Sequence, residues 1–238
     1  MATLGIIVSG NIGTALARLA VGAGIEVVLA NSRGPESLRD KAEELGVRAG
    51  TVAEAAAVGD WVVVAIPLGR HAEIPVEPLM GKAVIDTMNY YPHRDGRLEI
   101  LDTETITTAE LLQRHLPESH TVKAFNNISA RNLPTLARPT GAEDRSALPI
   151  AGDDAGAKTA VTTLIDALGY DVVDVGALTD SWRFEPETPA YVTPYLSGES
   201  TPEQRAAGHD DPGSPVAAAE LKALLDQAHR PPVVDRRF

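Results

Sequence analysis

A short apolar run, Leu4 to Val8, passes through Ser9-Gly10-Asn11-Ile12-Gly13 into a segment, Asn11 to Ala23, with helical spacing of Ile12, Leu16 and Leu19. This strand, glycine turn and helix constrain the fold more than anything else in the chain. A strand that is apolar without alternation is one buried on both faces, as in a parallel sheet. The pattern recurs: strands are predicted at Ile25 to Ala30, Trp61 to Ile66, Ala83 to Asp86 and Thr121 to Phe125. Helices are predicted over Pro35 to Leu45, which opens on proline and closes at Gly46, and over Thr108 to Leu116. The second starts with a capping box, Thr107 to Glu110. Strands alternating with helices predict an α/β fold, a Rossmann-type doubly wound parallel sheet.

A smaller unit follows, with strands at Leu148 to Ala151 and Val172 to Val175 around a helix at Ala155 to Leu168. Beyond Gly176, prolines 186, 189 and 194 punctuate a stretch bearing Trp182, Phe184, Tyr191 and Tyr195, which is expected to be extended. Those aromatics serve either as a flap or arm at the cleft or as anchors for the tail. Ser197 to Ser214 is polar and rich in Gly and Pro, expected as a surface loop or linker, and Val216 to His229 as a last helix. The expected organisation is a dinucleotide-binding domain over 1–135, a small C-terminal α/β lobe over 136–196 forming the second wall of the cleft, and an irregular tail over 197–238.

The glycine turn carries the first functional expectation. A dinucleotide site needs backbone N–H groups and the positive end of a helix aimed at the pyrophosphate. Ser9, Gly10, Asn11, Ile12 and Gly13 are placed to provide them, with Gly10 and Gly13 at the second and third glycines of the usual motif and Val8 in place of the first. At the end of the second strand, where NAD-binding domains carry a carboxylate, stand Asn31, Ser32 and Arg33. A guanidinium and a hydroxyl suit a 2′-phosphate, which an acid would repel, so the expected cofactor is NADP.

At the ends of later strands, Ile66 and Pro67 form an apolar wall for the nicotinamide. Met88, Asn89 and Asn126, with Asn127, are the candidates for its polar contacts, although each asparagine serves equally well as a cap or loop residue. Hydride transfer between stacked rings needs orientation more than acid–base help. Tyr90 and Tyr91 lack a lysine four residues on, so no Tyr-x-x-x-Lys arrangement is present. His71 and Tyr90 are the candidates for a catalytic proton donor, with Tyr91 and His93 behind them. His115 and His120 are read as helix-end and exposed residues. No metal site is expected.

The chain of 238 residues has no cysteine, which removes disulfides, thiolate metal sites and a cysteine nucleophile. Its formal charge of −12 argues against binding nucleic acid or an anionic membrane surface. No apolar run reaches the roughly 20 residues of a bilayer span, and no leader pattern opens the sequence. The expectation is a soluble cytoplasmic protein acting on a small molecule, as a homodimer.

Several segments together resemble the coenzyme F420-dependent NADP oxidoreductases and, in the same places, the reductase domain of the STEAP-type metalloreductases. They are Gly10 to Ala17, Asn31-Ser32-Arg33, Val64 to Pro67, Val122 to Asn126 and Ile150 to Asp154, within about Ala2 to Asp180. The resemblance implies a Rossmann domain with a small C-terminal lobe, and between them a deazaflavin (F420) or flavin ring stacked on the nicotinamide. It also implies that Ser32 and Arg33 hold the 2′-phosphate. Val8 and the aromatic, proline-punctuated C-terminal region depart from the family pattern. Two other readings stand beside it: an NADPH-dependent reductase of a small carbonyl, imine or quinone, and a non-catalytic NADP-sensing protein.

Overall fold

The computed structural model describes residues 2–8, 10–198, 201 and 211–233; Ser9 and the Val8 side chain, both named above, lie outside the described part. The first half runs β1 (Thr3–Val8), α1 (Asn11–Gly22), β2 (Glu26–Ala30), α2 (Arg39–Leu45), β3 (Arg48–Gly50), α3 (Val52–Val58), β4 (Trp61–Ala65) and β5 (Ala83–Asp86). Next come α4 (Pro92–Asp95), α5 (Glu99–Asp102), α6 (Thr108–His115), β6 (His120–Lys123) and α7 (Asn132–Leu136). Then follow β7 (Ala147–Gly152), α8 (Ala155–Ala167), β8 (Asp171–Gly176) and α9 (Ala218–Asp226). The strands form one sheet in the order β3-β2-β1-β4-β5-β6-β7-β8. Every neighbouring pair is parallel except β6 and β7. The chain thus builds the doubly wound sheet that its sequence predicts, with the strand order reversing between β1 and β4. Ligands of such sheets bind outside the carboxyl ends of the strands at that reversal.

The apolar strands are continuous because helices cover both faces. Leu4 and Ile6 of β1 join α1 and the C-terminal elements in one core, while Ile7, Val62, Val64 and Val84 face α3, α6 and the 68–106 segments in another. Gly5 lets α3 lie directly on β1: a Cβ there would stand 2.0 Å from the carbonyl oxygen of Ala55.

Several expectations change. The predicted helix over Pro35 to Leu45 begins as a 3-10 turn, Pro35–Leu38, before α2, and Gly46 ends it in the left-handed region at φ 67°. β3 and α3 were not anticipated, since a three-residue strand of Arg, Ala and Gly has neither the length nor the β-branched side chains of a strand signal. The N-terminus of α3 did carry a signal. Thr51 Oγ1 accepts from the Glu54 N–H at 3.1 Å while Glu54 accepts from the Thr51 N–H at 2.7 Å, a complete capping box.

The two strands expected for a separate lobe do not make a sheet of their own. β7 pairs antiparallel with β6, Val122 opposite Gly152 and Lys123 opposite Ala151, so the 136–196 region extends the first sheet. The stretch after Gly176 is not extended either. It folds into 3-10 turns at Leu178–Phe184 and Thr193–Tyr195 that bury Phe184 and Tyr195 completely. Proline is excluded from the interior of an α-helix but tolerated in the first turn of a helical segment, and Pro194 is the second residue of the turn Thr193–Tyr195. Much of the expected 197–214 linker lies outside the described residues, but its end is packed. Asn132 Nδ2 donates to the Asp211 carbonyl at 2.9 Å, and Val216 is buried with its carbonyl accepting from the Ala147 N–H at 2.8 Å.

Candidate active site

The carboxyl ends of β1, β4 and β5 open on a cleft of about 230 Å³. Its first wall is the start of α1, with Gly10, Asn11 and Ile12. Gly10 is the N-cap of α1 and has no side chain with which to cap it, and among the described residues no side chain accepts from the first N–H groups there. A Cβ at residue 10 would meet nothing within 4 Å, so the space before the helix is open. Open space before the backbone N–H groups of a helix N-terminus suits a pyrophosphate. Gly13 is buried in α1, one turn inside.

A second hollow of about 40 Å³ shares Ile66 with the cleft and is lined by Asn31, Ser32, Arg70 and Glu73, with Ile7, Val52 and Ile74 as its apolar part. Asn31 shapes the turn here: its Oδ1 accepts from the Arg33 N–H at 2.9 Å and its Nδ2 donates to Ser37 Oγ at 2.9 Å. That Asx turn leaves Ser32 and Arg33 exposed; Ser32 lines the hollow and Arg33 is not among its lining residues. Arg70 was missed by the sequence reading, having no local motif; it reaches the hollow from the turn after β4 and holds Glu73 through two hydrogen bonds of 2.8 and 2.5 Å. The hollow does therefore contain a carboxylate, brought from another strand end and already paired with a guanidinium.

The far wall of the cleft comes from the end of β4 and the residues after it (Ala65, Ile66, Pro67), from the residues after β5 (Thr87, Met88, Asn89) and from Tyr91 and Arg94. Behind Met88 lies a buried ionic network. Asp86 and Lys123, opposite one another in β5 and β6, are both fully buried, with Nζ to Oδ2 at 3.0 Å. Lys123 also donates to the Met88 carbonyl and to Thr108 Oγ1 at 2.9 Å, while Asp86 Oδ1 accepts from the Met88 N–H at 2.8 Å. Thr108 Oγ1 in turn donates to buried Glu185 at 2.7 Å. Burial pushes the Asp86 carboxyl above the usual carboxylate range, against the pull of the Lys123 ammonium. Met88 is thereby gripped at both its N–H and its carbonyl.

The asparagines form a second clamp. Asn89 donates to the Asn126 carbonyl at 2.8 Å, and Asn126 Nδ2 donates to Asn89 Oδ1 at 3.1 Å and to the Phe184 carbonyl at 2.9 Å. Asn127 donates to the Ala190 carbonyl at 3.0 Å. The turn into this clamp requires fully buried Phe125 to adopt φ 60°, a conformation that costs a non-glycine residue about 1–3 kcal/mol. Asn89 lines the cleft; Asn126 is not among its lining residues and acts on it through Asn89.

The proton-donor candidates fall differently from expectation. Tyr90 points into the core, where its hydroxyl donates to Asp102 at 2.8 Å and accepts from the Leu98 N–H at 2.8 Å. Of the two adjacent tyrosines it is Tyr91, the other candidate, that lines the cleft, its hydroxyl hydrogen-bonded to that of Tyr191. His71 is not on the cleft wall; its ring meets His115 edge-on at 5.9 Å and its Nδ1 lies 3.0 Å from the Leu68 carbonyl. His93 is exposed, 6.1 Å from the Tyr91 ring, and His120 lies 3.8 Å from Asp154.

With this geometry in hand, residues 3–90 match the sequence profile of the family described as NADP oxidoreductase, coenzyme F420-dependent. A hypothetical protein of Sinorhizobium meliloti, SMa0349, is 30% identical, with a TM-score of 0.67 over 80% of this chain and 93% of that one. A protein of Arthrobacter sp. FB24, with a proposed role as an F420-dependent NADP reductase, is 26% identical with a TM-score of 0.64, covering 76% of this chain and 87% of that one. The rat metalloreductase STEAP3 is 29% identical over 184 residues, 76% of this chain. The chain spans 35–39% of the length of the curated relatives it matches. Among the described residues, no helix is long and apolar enough to cross a membrane.

Proposed function

Because the chain belongs to the coenzyme F420-dependent NADP oxidoreductase family, we propose that it moves hydride between NADP and a deazaflavin such as F420, or a flavin. The observation that carries this reading is the N-terminus of α1, with a glycine at its N-cap, facing open space and continuous through Ile66 with the hollow at Ser32. A dinucleotide laid along that path fits the residues present. Its pyrophosphate would meet the amides at the start of α1, its 2′-phosphate Ser32 and Arg33, and its nicotinamide the apolar wall of Ile66 and Pro67 beside Met88 and Asn89. When bound, the nicotinamide supplies or receives the hydride. The residues of the chain orient the ring: the Asp86–Lys123 grip on Met88 and the Asn89–Asn126 pair hold that wall rigid, as a reaction limited by alignment requires. We expect a homodimer that acts on a small molecule.

The test is NADPH oxidation by the purified protein with F420, FMN, FAD or no acceptor, followed by loss of nicotinamide absorbance. Turnover with F420 or a flavin, and none without acceptor, is the expected result. Tight NADPH binding with no turnover on any of the three acceptors would end the deazaflavin and flavin reading.

A further inference from the structure

We propose that Tyr91, backed by Tyr191, is a proton donor at the cleft wall and gives the protein a second activity, the NADPH-dependent reduction of small carbonyl compounds. Tyr91 lines the cleft beside Asn89, and its hydroxyl is hydrogen-bonded to the Tyr191 hydroxyl. The Arg94 guanidinium lies 4.7 Å from the centre of the Tyr91 ring, and Arg94 is fixed in turn by the Asn89 carbonyl at 2.9 Å and by Asp95 at 2.8 Å. Asp95 also accepts from the Tyr91 N–H at 3.0 Å, and the His93 ring stands 6.1 Å away. A phenol that gives up its proton needs a hydrogen-bond donor for the anion left behind, and Tyr191 is that group; the Arg94 guanidinium stands over the Tyr91 ring with its charge shared with Asp95.

The chain goes to some length to bring Tyr191 there. The next residue, Val192, has φ 51° and ψ −54°, and the Thr193 N–H reaches back to the Tyr191 carbonyl at 2.5 Å. This is a γ-turn of the rare, strained hand, on a β-branched residue poorly suited to positive φ. It is held by the Asn127 carbonyl, which accepts from the Val192 N–H at 2.8 Å, and by Asn127 Nδ2 on the Ala190 carbonyl. Strain that the surroundings over-determine points to a function for the residues it places.

The chemistry selects the substrate. A carbonyl accepts hydride at carbon and needs a proton at oxygen, whereas an iminium ion arrives already protonated. In the balanced step the carbon gains the hydride of the reduced nicotinamide, and the oxygen gains the Tyr91 proton as the C=O double bond becomes single. Tyr191 passes its proton to the Tyr91 phenolate, and solvent restores Tyr191, which is half-buried. The products are an alcohol and the oxidised nicotinamide. The cleft of about 230 Å³ is below the roughly 300–1,000 Å³ of sites for drug-sized ligands, so a carbonyl compound held inside it beside the nicotinamide is small, whereas a deazaflavin or flavin would have to stack across its mouth.

The test uses the full chain and its Tyr91→Phe and Tyr191→Phe variants, with propanal and cyclohexanone as acceptors and F420 in parallel. The wild type should oxidise NADPH with at least one carbonyl compound. Tyr91→Phe should lose about 10²–10⁴-fold in kcat, the usual contribution of a general acid, with NADPH affinity unchanged. Tyr191→Phe should lose less. A second readout does not depend on turnover: tyrosine labelled with ¹³C at Cζ and observed by NMR. The Tyr91 signal, assigned by its loss in Tyr91→Phe, should move when Tyr191 loses its hydroxyl, and again when unreactive propanamide is added to the NADP complex. No carbonyl turnover in the wild type, an undiminished Tyr91→Phe, or a Tyr91 signal indifferent to propanamide would each overturn the proposal. Turnover of F420 without carbonyl reduction sinks this proposal alone; carbonyl reduction without F420 or flavin turnover sinks only the acceptor proposed above.

Discussion

The two ends of the cleft are built in opposite ways. At the Ser32 end the hydrogen bonds join residues 2 and 6 apart, Asn31 to Arg33 and Asn31 to Ser37, and the side chains offered to a ligand stand in solvent. At the Met88 end they join residues 37, 58, 77 and 100 apart: Asp86 to Lys123, Asn126 to Phe184, Thr108 to Glu185 and Tyr91 to Tyr191. The first end is a turn that holds its shape almost unaided. The second exists only after β5, β6 and the 178–195 segment have met. Substitutions should therefore act at the first end on ligand contacts and at the second on the fold itself.

The sharpest way to break the contrast is Lys123→Met, which leaves Asp86 buried without its cation. Breaking a buried ion pair from one side costs about 3–5 kcal/mol, so a large loss of stability in chemical denaturation is expected. The sign of its pH dependence follows from Asp86. Its carboxyl is raised in the folded state, so the stability it contributes is held below its unfolded pKa and lost as pH rises through the folded value. Without Lys123 that effect grows, so the variant should approach the wild type as pH falls. A deficit that is small or independent of pH would show that the network is not what holds this wall.

Arg33→Ala should act on ligand alone. It should weaken NADPH binding by about 1.5–3 kcal/mol, the scale of a hydrogen bond to a charged group, and leave NADH binding and the melting temperature almost unchanged. Equal weakening of both cofactors in a calorimetric titration would move the 2′-phosphate elsewhere, with Arg70 the next residue to vary. Gly10→Ala should give the smallest effect and the cleanest separation. Its added methyl meets no protein atom, so stability should stay within ~1 kcal/mol, the scale of a changed N-cap. The methyl would occupy the space left for the pyrophosphate, and affinity for NADPH and NADH alike should fall about tenfold, or ~1.4 kcal/mol. Undiminished binding would place the pyrophosphate off the α1 terminus.

The sheet was legible in the sequence because each strand of a parallel sheet is a run of apolar residues between turn signals, and such runs need no partner to be recognised. So was the capped start of α6 at Thr107, a four-residue signal. β3 escaped, since three residues of Arg, Ala and Gly carry no periodicity, and Arg70 escaped, since nothing local to it marks a ligand-facing side chain. Tyr90 and Tyr91 show the same limit more sharply. Adjacent tyrosines are equivalent in any reading of composition, and the turn into α4 alone sends one hydroxyl to Asp102 in the core and the other to Tyr191 at the cleft.

By itself, then, the sequence determined the strand–turn–helix rhythm, the glycine that leaves the α1 terminus open and the Asn31-Ser32-Arg33 turn, because each depends on interactions within a few residues. Only the tertiary structure decided that β7 and β8 would extend the first sheet, that Lys123 would grip Met88, and that Tyr191 would reach Tyr91. Those outcomes rest on contacts between distant segments whose free energy is gained after the intervening chain has been closed, and no local pattern records which segments will meet.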